Sequence, residues 1–144
     1  MTERTVKQII EGQELVTAPA TTTVRDAARL MKQHNVGAMM VVEGEKLVGV
    51  FTERDGLFRV LAAGLDGDAT QLAAVMTPNP QTIAPESGFT TALQMMHDGG
   101  YRHLPVVENG RVIGIVSVRD ALGPELEAFV YEMLRQEQIQ EVLA

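Results

Sequence analysis

The sequence contains no cysteine and no tryptophan in 144 residues, and aromatic side chains make up only 4% of it. Without cysteine there can be no disulfides, zinc–thiolate centres or thiol nucleophiles. Apolar residues nevertheless reach 45%, so the core must be aliphatic. Cations are scarce too: 12 Lys and Arg stand against 19 Asp and Glu, a net charge of −7. That balance argues against a nucleic-acid partner, because phosphate contacts along a strand need clustered Lys and Arg. A small anion stays open, since one pocket can differ in sign from the whole surface. No run approaches the roughly 20 apolar residues of a membrane helix. The opening "MTERTVKQIIEG" mixes charges of both signs and does not read as a secretory leader. The expectation is a soluble, cytoplasmic protein.

What the sequence does have is an internal repeat. "GVFTERD" (Gly49 to Asp55) returns as "GIVSVRD" (Gly114 to Asp120), sixty-five residues later. At that offset "TVRDAARLMKQHNVGAMMVVEGEKLVGVFTERD" falls without a gap on "GFTTALQMMHDGGYRHLPVVENGRVIGIVSVRD". Each unit opens on a strand-like piece, "ELVTA" or "QTIA". A helix follows, from about Thr23 to His34 with Val24, Ala27, Ala28 and Met31 at helical spacing. Its counterpart runs from about Ser87 to Asp98, with Phe89, Ala92, Leu93 and Met96. Thr23 and Ser87 are the expected N-caps and Gly99-Gly100 the expected C-cap. Two apolar runs around "EGE" or "ENG" then predict a hairpin, Asn-Gly being the strongest short signal for one. Thr52 and Ser117 sit where a strand should end and a helix begin.

The expected fold class is therefore α/β (α+β): two β-α-β-β-α units, packed face to face over one shared aliphatic core. By chain order the units are 1–64, including an N-terminal segment, and 81–123, with a linker at 65–80. The linker should hold a short helix capped by Asp68. In 124–144, Pro124 can open a last helix at its first position. Its apolar face of Leu126, Phe129, Val130, Met133 and Leu134, continued less regularly by Ile139, calls for a second subunit to cover it.

The repeated phrase carries the chemistry. A Ser or Thr hydroxyl at a strand-to-helix turn lies beside unpaired backbone N–H groups, a place suited to phosphate. An Asp three residues on can accept hydrogen bonds from neighbouring hydroxyls, as an acidic residue does from ribose in dinucleotide-binding folds. Val50-Phe51 and Ile115-Val116 are placed to wall a base. The plainer alternative is a capping box, [ST]-x-x-[DE], which many helices carry with no ligand nearby. Two copies at one offset favour the ligand reading, although both roles can coexist.

The unit and its duplicate resemble the CBS domain, which occurs as tandem pairs called Bateman modules; the resemblance covers about Val16 to Asp120. It implies a regulatory, signal-transducing module that binds an adenine nucleotide or related ligand (AMP, ADP, ATP, NAD or S-adenosylmethionine) in two clefts between the units. It also implies a disc-shaped homodimer and a separate regulated partner, such as an enzyme or transporter. By the same resemblance Thr52 and Asp55 serve one cleft, and Ser117 and Asp120 the other. Base walls for the Asp120 cleft would come from Val16, Val36 and Gly37, and for the Asp55 cleft from "MTPNPQT" and Tyr101. Arg102 and His103, placed before a strand as in the family, are expected beside Ser117, whereas the first unit has Gly37 and Ala38 there. On that basis the Asp120 cleft should prefer the more charged nucleotide.

His97, Asp98 and His103 are not placed to converge on a metal, so no metal site and no catalytic cofactor are expected. The methionines fill core faces, and an arginine such as Arg54 in a first helical turn is ordinarily solvated. No nucleophile elbow, P-loop or paired acid and base appears, so no catalytic residue is assigned and the protein is not expected to be an enzyme. The alternative to a ligand-sensing module is a purely structural dimerisation module with vestigial clefts.

Overall fold

The computed structural model describes residues 4–122 and 131–139. In chain order the elements are α1 (Val6–Ile10), β1 (Thr17–Pro19), α2 (Val24–His34), β2 (Ala38–Glu43) and β3 (Lys46–Thr52). The short α3 (Glu53–Asp55) runs directly into a π-helical turn, Gly56–Leu61. Then come α4 (Leu72–Val75), β4 (Thr77–Pro78), α5 (Phe89–Gly99), β5 (His103–Glu108) and β6 (Arg111–Ser117). A 3-10 turn at Val118–Leu122 closes the second unit, and a further helix, α6, occupies 131–139.

The local signals act as their chemistry requires. Thr23 Oγ1 accepts the Asp26 N–H at 3.2 Å, capping α2. The helix ends on Asn35 in the left-handed region, with φ 54°. Gly100 ends α5 in the same way, at φ 73°, where a glycine escapes the clash a Cβ would meet. The hairpin β5–β6 turns on Asn109 and Gly110, both with positive φ as the Asn-Gly signal demands.

The repeat extends to irregularities. Both hairpins shift register at equivalent places, between Val41 and Val42 and between Val106 and Val107. The first sheet has the order β1-β2-β3-β4, with β1 parallel to β2. In the second unit "QTIA" contributes only the bridge of Ile83 to Val106, at the place equivalent to the pairing of Ala18 with Val41.

The short leading helices cross over. α4 lies in the chain just before the second unit, yet Leu72 and Val75 are buried in a core with Ala27, Met31, Met39, Val41 and Phe51 of the first. α1 precedes the first unit, yet Val6 and Ile10 are buried with Phe89, Ala92, Met96, Leu104 and Val116 of the second. The backbone links match: Leu72 N–H donates to Thr22 O at 2.9 Å, and Val6 N–H to Ser87 O at 2.8 Å. Division by chain order thus cuts across the packing, because each unit takes its leading helix from the segment before the other.

Several expectations change accordingly. The aliphatic core is two clusters, one per unit, rather than one shared core. α5 begins one residue later than expected, after Gly88, and Ser87 makes a backbone link to α1 instead of capping. The linker helix is preceded by Gln71, while Asp68 pairs with Arg25 at 3.2 Å. The expected start of the last helix at Pro124, with Leu126, Phe129 and Val130, lies outside the described residues. Within 131–139, Met133, Leu134 and Ile139 are exposed.

Candidate functional site

At the end of β3 the first copy of the phrase forms a closed loop of hydrogen bonds. Thr52 N–H donates to Asp55 Oδ2 at 2.9 Å, and Asp55 N–H donates to Thr52 Oγ1 at 3.2 Å. The capping box expected as the plain alternative is therefore formed. Asp55 is the one buried charged residue among the described residues, 9% exposed. Its other oxygen, Oδ1, lies 3.5 Å from Arg59 Nε, one helical turn on. A carboxylate can be held there because backbone N–H and guanidinium replace its lost water.

This motif opens onto a cavity of about 720 Å³ lined by Thr52, Glu53, Arg54, Asp55, Leu57, Phe58 and Arg59 from the first unit. Thr77, Gly100, Tyr101, Arg102 and His103 close its other side. The volume lies within the range of pockets that hold small molecules, on the order of 300–1,000 Å³. Three guanidinium groups (Arg54, Arg59 and Arg102) face two carboxylates (Glu53 and Asp55) in it. A locally cationic wall has thus formed in a chain whose net charge is −7. Arg54 stacks over the Phe58 ring at 5.3 Å, so it is ordered against the cleft.

Arg102 and His103 lie beside the end of β6 as expected, with Arg102 O accepting the Val118 N–H at 3.1 Å. The sequence places them beside Ser117, and His103 is indeed the cross-strand partner of Ser117. Both residues, however, line the cavity of Thr52 and Asp55. The reason is topological: β5 starts at the boundary between the units, so the residues at its start face the opposite motif. Burial pushes the His103 pKa down; Glu53 opposes that and Arg119 adds to it, with smaller opposing effects of Asp120 and Arg102. Burial, with the charge of Asp98, pushes the Tyr101 hydroxyl up. That hydroxyl donates to Gln81 Oε1.

The second copy is built differently. Ser117 N–H donates to Asp120 Oδ2 at 2.7 Å, but Ser117 Oγ faces the same oxygen at 3.5 Å and the chain continues as a 3-10 turn. Ser117 and Asp120 are half-buried, and neither lines the 720 Å³ cavity. Ile115, half-buried in β6, has its backbone paired with the Gln13 side-chain amide by two 2.9 Å bonds. Val50, its equivalent, is buried in β3 and paired with Thr77 of β4. Val16 and Val36 pack against the first core. Val36 also lines a separate groove of about 480 Å³. Gly37 O accepts the Glu53 N–H at 3.0 Å, and a Cβ on Gly37 would stand 3.1 Å from Glu53 Oε1.

Sequence reasoning missed Arg59 and Glu53 as cleft residues, and Gln13 as the group that seals β6. For Arg59 a signal existed, since an arginine four residues after an acid on a helix is a pairing distance. Gln13 had none, because it lies outside the repeat as read. Among the described residues, no group of three or more His, Asp and Glu is placed to hold a metal ion. No helix among them is long and apolar enough to cross a membrane.

Comparison with known proteins fits this geometry. The family model of the CBS domain matches residues 6–61 and 72–124. The CBS domain-containing protein CBSCBSPB1 of Arabidopsis thaliana is 40% identical over 121 residues, which are 83% of this chain but only 22% of that protein. The structure of CBS domain protein PAE2072 from Pyrobaculum aerophilum, complexed with AMP, is similar with a TM-score of 0.77 at 25% identity, over 92% of this chain and 99% of that one. The CBS domain pair of protein MJ0100, in complex with 5′-methylthioadenosine and S-adenosyl-L-methionine, gives 0.74 at 26% identity, over 83% and 94%. Two matched stretches, two copies of one motif and two equivalent cores make the chain a member of the CBS-domain family, with two CBS domains in tandem.

Proposed function

We propose that this protein is a regulatory module that binds an adenosine-containing ligand of the AMP, ADP, ATP or NAD type between its two CBS units. The observation that carries the proposal is the cavity joining Thr52 and Asp55 of one unit to Tyr101, Arg102 and His103 of the other. In it, the hydroxyl of Thr52 and the guanidinium of Arg102 serve the phosphate, the carboxylate of Asp55 the ribose and Tyr101 the base, while Val50, buried in β3, is not among the lining residues. Ser117 and Asp120, with Ile115, Val16, Val36 and Gly37, serve a second cleft, where Arg4 donates to Asp120 O at 3.2 Å. The AMP complex of a similar structure supports the ligand class. No group in the cavity is needed as a catalyst, and the reading is one of binding without turnover.

A ligand that touches both units changes their relative angle, and a homodimer passes that change to a separate regulated protein. The exposed apolar side chains of Leu57, Phe58 and Leu61, beside the cleft, suit such a contact. A second reading, a structural dimerisation module with vestigial clefts, is favoured by the capping bonds of Asp55 and Asp120. Calorimetric titration with AMP, ATP and NAD separates the two. Saturable binding that Arg102→Ala weakens supports the sensing module, and heat-free titrations with all three ligands support the structural one.

A further inference from the structure

His103 stands at a point where both motifs meet. It opens β5, lines the cavity of Thr52 and Asp55, and is the cross-strand partner of Ser117. The charged groups acting on it come from every segment around it: Glu53 from α3, Arg102 just before β5, and Arg119 and Asp120 after β6. Arg54, Asp55 and Arg59 share the cavity with it. The imidazole is half-buried and thus poorly solvated as a cation. With two guanidinium groups and two carboxylates acting on it, the next charge to arrive decides its state.

We propose that His103 makes this cleft a proton-linked phosphate site, taking up a proton as an anionic ligand enters, so that affinity for phosphate-bearing ligands rises as the pH falls. This rests on the adenosine-ligand reading above and adds regulation to it. A phosphate dianion beside the ring favours the imidazolium, and linkage then requires the imidazolium to favour the phosphate by the same factor. The lowered His103 pKa fits such a device, because it keeps the ring neutral near neutral pH until the anion arrives. Adenosine, lacking the phosphate, has no such linkage.

The chain has only 3 histidines, which makes a proton NMR titration of the ring C–H signals direct. Signals are followed from about pH 5 to pH 9 in the free protein, with AMP and with adenosine. The His103 signal is assigned by its loss in His103→Gln, or by elimination with His34→Gln and His97→Gln, neither of which is in the cleft. Reading the ring itself avoids confusion with the phosphate of AMP, which titrates near pH 6. AMP should raise the His103 midpoint by about one pH unit, and AMP affinity should rise about threefold to sixfold between pH 8 and pH 6. Adenosine should leave the midpoint in place, and Glu53→Gln should lower it in the free protein. If AMP perturbs the Tyr101 ring signals while the His103 midpoint stays fixed, the proton linkage is overturned and the adenosine reading stands. If neither AMP nor adenosine perturbs any signal, both are overturned.

Discussion

The two copies of Gly-apolar-apolar-Ser/Thr-x-Arg-Asp begin from nearly the same residues and end in different chemistry. In the first, Asp55 is buried, returns a bond to Thr52 and pairs with Arg59. In the second, Asp120 is half-buried, holds the Ser117 end of the turn and accepts from Arg4 through its backbone oxygen. The edge beside Val50 is sealed by the backbone of β4, and the edge beside Ile115 by the side chain of Gln13. Basic residues of the second unit reach the first unit's motif. Gly37 and Ala38 leave the first unit without charge at the start of its hairpin, yet Arg102 and His103 arrive from the second unit to join Arg54 and Arg59 in its cleft. Duplication has kept the frame and changed the contents: the cleft of Thr52 and Asp55 is completed by residues of the opposite unit.

The largest expected effects test the exchange of leading helices. Leu72→Ala and Ile10→Ala each remove a buried aliphatic group and should cost about 2–5 kcal/mol. Hydrogen exchange should then loosen β2 and β3 for Leu72→Ala but β5 and β6 for Ile10→Ala, the reverse of chain order. Next comes the cleft itself. Arg102→Ala should weaken AMP about tenfold to hundredfold, as expected when a charge-assisted hydrogen bond is lost, and adenosine far less. Unequal capping gives a smaller effect. Thr52→Ala should lower stability by about 1 kcal/mol. In contrast, Ser117→Ala should lower it less, because Ser117 Oγ meets the Asp120 carboxylate at 3.5 Å where Thr52 Oγ1 accepts a backbone N–H.

The smallest effect concerns acid. The folded His103 pKa lies below its ordinary value, so the unfolded chain binds that proton more readily. Stability should therefore fall as the pH drops from about 6.5 toward the lowered folded value, with no loss from this group above that window. His103→Gln should flatten that part of the profile in thermal melts without ligand.

Much of this was legible in the residues. The repeat, both long helices, both hairpins and both Ser/Thr-to-Asp turns follow from spacing, caps and Asn-Gly chemistry, all of which are local. What escaped was non-local. Nothing in "TVKQII" or "QLAAV" says which of two aliphatic cores a short apolar helix will enter. Likewise, nothing in "YRHLPVV" says which motif Arg102 faces, since that depends on how the units meet. The single gap that separates α1 from α4 in the repeat, sixty-six residues rather than sixty-five between Val6 and Leu72, also hid their equivalence.

The central claim is that the cationic cleft, built from Thr52 and Asp55 of one unit and Arg102 and His103 of the other, is where a nucleotide binds. A crystal structure of the protein grown with AMP tests it most directly. The account predicts the phosphate within hydrogen-bonding distance of Thr52 and Arg102, with the ribose on Asp55. Density for AMP only beside Ser117 and Asp120, with the Thr52 cleft empty, would contradict it.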